Sequence, residues 1–123
     1  MKERTPISLV LLKIPKKLDS PRSQKLDSDE PLLLLEAVLR RDLRYQDQFL
    51  RYQDNALVGI LAETDEVGAK FLQKRVLEAV HLEQRLKEVL LVPGTATYPE
   101  DGENIQSLLK VAEARAMGQS QTS

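Results

Sequence analysis

The sequence predicts an α/β sandwich, a central sheet flanked by helices around a ferredoxin-like core of the palm type. Three observations carry it. Short apolar runs alternate with amphipathic segments in the order β-α-β-β-α-β-α. Two of the runs, ISLVLLKI and ALVGIL, are apolar almost throughout, as strands buried inside a sheet are. The length of 123 residues suits one domain with one core. The expected domain covers residues 1–117, and GQSQTS at 118–123 reads as a frayed tail.

Residues 7–14 are β-branched and apolar up to Pro15, which fits a buried first strand. Residues 15–31 hold three prolines and three serines without apolar periodicity, and read as a loop. The loop closes on Ser28-Asp29-Glu30-Pro31, a capping oxygen followed by acids and a proline, so a helix is expected over 31–43. Leu32, Leu35, Leu39 and Leu43 recur along it, with Leu34 and Val38 beside them, and Arg40, Arg41, Asp42 and Arg44 mark its exposed end. Of the four consecutive leucines 32–35, one is left to face a partner if three fill the buried face.

Residues 48–52 and 56–61 are two strands with Gln53-Asp54-Asn55 between them; Asp and Asn tolerate positive φ, so a tight hairpin is expected. The segment RYQD occurs twice in succession, at 44–47 and 51–54, too few copies for a repeat architecture. A helix follows over 64–82, with Thr64 as its cap, Asp65 and Glu66 at its positive end, and Val67, Phe71, Leu72, Val76, Ala79 and Val80 as its apolar face. Residues 88–92, EVLLV, read as the next strand and PGTATYPEDGEN as a turn-rich exit. The last helix opens near Asn104 and carries Ile105, Leu108, Leu109, Ala112 and Ala116 on one stripe.

Composition narrows the function. Eighteen Lys and Arg against 19 Asp and Glu leave a formal charge of -1, unlike a protein that coats nucleic acid or a polybasic membrane-surface protein. Aromatic residues are 4% of the chain, a poor supply for stacking single-stranded nucleic acid. Without cysteine there is no disulfide, thiolate metal site or thiol nucleophile, and His81 alone makes no histidine cluster. No apolar run approaches the length that spans a bilayer. The start, MKERTPISLVLLKIP, is broken by Lys13 and lacks a small-residue cleavage site, so it reads as a strand and not a signal peptide; a cytoplasmic location is expected.

Two segments resemble the GGDEF domain of diguanylate cyclases. TATYPEDGENIQSLLKVAEARA, residues 95–116, is similar to that family's closing strand, turn and helix. DQFLRYQDNALVGIL, residues 47–61, is similar to its signature hairpin, and the spacing to the next helix fits without gaps. The resemblance covers residues 29–117 and, more loosely, the first strand; it implies the GGDEF or nucleotidyl-cyclase palm-like fold.

The departures bear on chemistry. The family's signature loop falls on Gln53-Asp54-Asn55-Ala56-Leu57, where both glycines are replaced and Asn55 and Ala56 stand at the acidic pair. The first of those acids holds catalytic metal in the family, and an amide is a poor substitute on a hard cation. The first strand's metal-binding aspartate aligns with Lys13. Asp29 aligns with an acid that touches guanine, and its asparagine partner falls near Pro21 or Arg22. The resemblance therefore implies a chain that is not an enzyme, with phosphoryl transfer lost and no metal or other cofactor.

One family feature is kept. Diguanylate cyclases carry an inhibitory R-x-x-D that binds their product, cyclic di-GMP, just before the signature loop, and Arg44 and Asp47 stand at that spacing. Arg75 occupies the position of the arginine that completes the site. The chemistry suits the ligand: a guanidinium fork matches the guanine edge or a phosphate, and a carboxylate accepts from guanine N–H groups. The same residues also describe a solvated ion pair and a surface arginine. Tyr45 reads either as a stacking partner for guanine or as a half-buried surface residue, and Lys13, Lys16 and Lys17 either as a phosphate patch or as a solvated strand exit. His81 reads as structural. The resemblance implies a catalytically inactive cyclic di-GMP receptor that binds through Arg44, Asp47 and Arg75. It would signal by ligand-dependent association with itself or with another protein. The alternative is a ligand-independent protein-interaction scaffold on the same fold.

Overall fold

The structure, a computed structural model, describes residues 5–14, 29–44, 46–53, 55–86 and 91–121. Its elements are β1 (Ile7–Lys13), α1 (Asp29–Asp42), β2 (Gln48–Tyr52), β3 (Ala56–Leu61), α2 (Glu66–Leu82), a 3₁₀ turn (Gln84–Leu86), β4 (Val92–Tyr98) and α3 (Ile105–Gln121). The order matches the sequence expectation. The strands form a four-stranded sheet in the order β2-β3-β1-β4, with every neighbouring pair antiparallel. This is the split arrangement of a ferredoxin-like core: β1 lies between β3 and β4, and the β2-β3 hairpin forms one side.

Both faces of the sheet are covered, which explains the continuous apolar runs. Alternate side chains of a strand point to opposite faces. Val10, Leu12, Leu57 and Leu61 pack with Leu32, Leu35, Val38 and Leu39 of α1 and Ala69, Val76 and Val80 of α2. Leu9, Leu11, Ala56, Val58 and Ala96 pack with Leu108, Ala112 and Ala116 of α3 on the other face. Of the four consecutive leucines 32–35 in α1, Leu33 is the one that turns outward.

Several expectations are corrected. The strand expected at 88–92 begins at Val92 and runs through PGTATY to Tyr98; residues 87–90 lie outside the described residues. Among the described residues β4 is an edge strand, where the missing N–H of Pro93 breaks no ladder inside the sheet. The cap of α2 is Asp65, whose carboxylate accepts from the Gly68 N–H at 2.9 Å, because the Thr64 hydroxyl is engaged elsewhere. Val67 and Phe71 are off the buried face of α2, at 77% and 62% exposure. α3 continues to Gln121, beyond the expected end at Met117, since a single Gly118 does not stop a helix flanked by tolerated residues. The loop at 15–28, with Ser28, Lys16 and Lys17, and also Tyr45 and Asp54, fall outside the described residues. Among the described residues no helix is long and apolar enough to cross a membrane.

The hairpin tip departs from the expected turn chemistry in one respect. Gln53 takes φ 60, the left-handed region, at the position where the resemblance places the first signature glycine. A side chain there costs about 1 kcal/mol relative to glycine. Gln53→Gly is accordingly expected to leave stability unchanged or raise it by up to about 1 kcal/mol in urea unfolding. A loss larger than that would mean that the 3.3 Å bond from Gln53 to Glu113 of α3 outweighs the backbone strain.

Candidate functional site

The site lies between the end of α1 and the start of β2. Asp47 is the pivot. Its Oδ2 accepts from the Arg44 backbone N–H (3.2 Å) and from Arg44 Nε (3.0 Å); its Oδ1 accepts from Arg44 Nη2 (3.1 Å) and from the Ala62 N–H (3.0 Å). The carboxylate thus ties the end of α1 to the start of β2 and to the turn between β3 and α2. The Arg44 guanidinium continues the tie, with Nη2 donating to the Ala62 carbonyl at 2.8 Å and to Thr64 Oγ1 at 2.7 Å.

Exposure divides the pair. The Asp47 side chain is 3% exposed and that of Arg44 is 49% exposed. Burial pushes the Asp47 carboxyl up, but the Arg44 side chain and the backbone N–H groups of Ala62 and Arg44 overcome it, so Asp47 titrates below its ordinary value. The Asp47 hydrogen bond raises Arg44. About half of the Arg44 side chain is open to solvent. The arrangement can offer a fixed, half-exposed guanidinium to an anion or to a guanine edge. Asp47, with all four acceptances made inside the chain, positions that guanidinium and has no free lone-pair direction aimed outward.

The structure brings Arg44 and Asp47 together, and Arg75 stands on the neighbouring helix α2. Arg75 is exposed on α2, nine residues past its start at Glu66, or about 14 Å along the axis. Its guanidinium sits 6.0 Å from the centre of the Phe71 ring. In the second RYQD copy, Arg51 Nε donates to Glu36 of α1 at 2.9 Å.

The hairpin tip is at the opposite end of the sheet. Lys13 lies opposite Ala56 in the ladder, beside Asn55. Asn55 is bound into the fold: its Nδ2 donates to the Ile14 carbonyl at 2.8 Å, while the Ile14 N–H donates to the Asn55 carbonyl at 2.8 Å. At the positions where the family resemblance implies ligands for a divalent cation, Asn55, Ala56 and Lys13 offer no carboxylate, so these three residues do not fit that ion. Burial, followed by Glu113 of α3, holds the Tyr52 hydroxyl above its usual range at the same tip.

Sequence reasoning missed Ser8, Thr97, Asp101 and Arg115 and read Thr64 only as a helix cap; all five form hydrogen bonds at the Arg44 end of the sheet. One signal was available for Ser8, a hydroxyl in an otherwise apolar buried strand. Asp101 and Arg115 are 14 residues apart and gave no local sign.

No protein-family model matches the chain, and no curated protein sequence matches it. Solved structures do. The FimX GGDEF domain from Pseudomonas aeruginosa superposes with a TM-score of 0.75 at 19% identity, covering 98% of this chain and 78% of that one. The active GGEEF domain of a diguanylate cyclase from Vibrio cholerae gives 0.76 at 12% identity, covering 95% and 78%. The GGDEF domain of DgcB from Caulobacter crescentus, in complex with c-di-GMP, gives 0.73 at 17% identity, covering 95% and 73%. The chain has the fold of GGDEF domains.

Proposed function

We propose that this chain is a cyclic di-GMP receptor on a GGDEF fold that carries out no cyclase chemistry. The observation that supports it most is the Arg44 guanidinium, held in a two-pronged pair by a buried carboxylate while half of its side chain is open to solvent. Arg44 is the contact residue, Asp47 orients it, and Arg75 supplies a second positive charge on α2. Cyclic di-GMP has two guanines and two phosphodiesters, so it can engage both arginines, within one domain or between two. The solved complex of a like-folded domain with this ligand supports the choice of ligand. Asn55, Ala56 and Lys13 support the absence of catalysis.

Calorimetry on the purified chain tests the proposal. Binding at micromolar or lower concentration is expected, about 30-fold weaker in Arg44→Ala, the equivalent of one charge-assisted contact of about 2 kcal/mol. A smaller loss is expected in Arg75→Ala. Absence of binding heat at high ligand concentration, or turnover of GTP with Mg²⁺, would overturn it.

A second reading, a ligand-independent interaction scaffold, is favoured by the exposed Val67 and Phe71 on α2. On that reading, association with a partner persists without nucleotide and in Arg44→Ala.

A further inference from the structure

The end of the sheet that carries Arg44 holds a second arginine–carboxylate clasp, and buried hydroxyls join the two. Arg115 of α3 donates to both oxygens of Asp101 at 2.9 Å and to the Thr95 carbonyl at 3.1 Å. Asp101 closes the turn after β4: its Oδ2 accepts from the Thr97 N–H at 2.8 Å, and its own N–H donates to the Thr97 carbonyl at 2.7 Å. The Thr97 hydroxyl lies 2.8 Å from Ser8 Oγ. Ser8, fully buried on the central strand, stands between Leu61 on β3 and Thr97 on β4. Its hydroxyl donates to the Thr64 carbonyl at 2.7 Å, and the Thr64 hydroxyl receives Arg44.

The proton directions follow from the donor inventory. Ser8 has one hydroxyl proton, and the Thr64 carbonyl can only accept. Thr97 must therefore donate to Ser8. The sequence of contacts runs Asp101–Thr97–Ser8–Thr64–Arg44, with a charged clasp at each end. In a sheet covered on both faces, two adjacent buried hydroxyls cost desolvation unless both are satisfied, and here they satisfy each other.

We propose that Ser8 and Thr97 are positioning residues that couple the Arg44 site to the seating of α3. Arg44 Nη2 holds the Thr64 hydroxyl, and the Thr64 carbonyl holds Ser8. A ligand that draws the guanidinium outward competes with Ala62 and Thr64, loosens the turn before α2, and is felt at Asp101 and Arg115. The inference deepens the receptor reading and rests on it only for the nature of the ligand; the coupling itself is a property of the free chain.

A double-mutant cycle in urea unfolding of the full chain tests it. Arg44→Ala and Arg115→Ala are measured singly and together, in the native, Ser8→Ala and Thr97→Val backgrounds. Independent sites multiply within about twofold in the unfolding constant. In the native background the pair is expected to depart from the product by about fivefold or more, and in either hydroxyl-deleted background to return to it. Arg44→Gln and Arg115→Gln replace the alanine variants if the double alanine variant does not fold. Multiplication within about twofold in the native background overturns the coupling, as does undiminished coupling in both deleted backgrounds. Hydrogen exchange of α3 with cyclic di-GMP added reads the ligand separately. A chain that shows the cycle but binds no cyclic di-GMP overturns the receptor reading alone, whereas one that binds without the cycle overturns the coupling alone.

Discussion

Gly94→Ala is expected to lower the unfolding free energy by about 3 kcal/mol, the upper part of the range for an overpacked core. β4 passes so close under α3 that a methyl group at Gly94 would overlap the Ala112 carbonyl and come within 2.9 Å of the Ala116 amide nitrogen. Both obstacles are helix backbone, which cannot swing aside as a side-chain end would. Relief requires α3 to lift, which uncovers Leu9, Leu11 and Ala96 on that face. Gly59→Ala is the control. It lies in β3, and its added methyl would meet only ordinary contacts at 3.9 Å, so it is expected to be neutral or slightly stabilising. Urea midpoints of the two variants give the comparison; equal midpoints would show that α3 is not seated on β4 as described.

Asp47→Asn is expected to cost about 2–3 kcal/mol, because it removes a carboxylate that satisfies four donors and leaves the Arg44 charge without its counterion. The same residue sets part of the acid response. Its folded-state pKa is below the unfolded value of about 3.9. Its contribution is therefore complete above about pH 4 and disappears as pH falls through the folded-state pKa. Asp101, held low against burial by Arg115 and the Thr97 N–H, acts in the same direction and the same window. Denaturation midpoints followed from neutral pH downward should show a steep loss below about pH 4 in the native chain and a shallower one in Asp47→Asn. An unchanged slope in the variant would assign the acid response to other carboxylates.

Element order, the β2-β3 hairpin and the central place of β3 were legible because they rest on local signals: apolar runs, helix periodicity and turn residues. Local composition hid the strand at 92–98, since Pro93, Gly94 and three polar or small residues read as a loop, and only the resemblance of residues 95–116 to a closing strand, turn and helix pointed to it. Its strand character comes from pairing with β1 and from the helix pressed on Gly94, both long-range. The outward turn of Val67 and Phe71 was hidden for a related reason: periodicity marks an apolar stripe, but tertiary contacts decide how much of it is covered. At the site, R-x-x-D spacing located the pair but not its inward orientation. That depends on the Ala62 N–H and Thr64, 15 to 20 residues away in sequence.

Asn55 has a bearing on how such a domain can change. Its amide hydrogen is what the Ile14 carbonyl receives, so an aspartate introduced there would set two acceptors face to face and loosen the tip, while the backbone ladder between the hairpin and the first strand stays. A carboxylate at 55 is therefore expected to cost stability at the tip, where the Asn55 amide works as a fastener that an acid cannot replace.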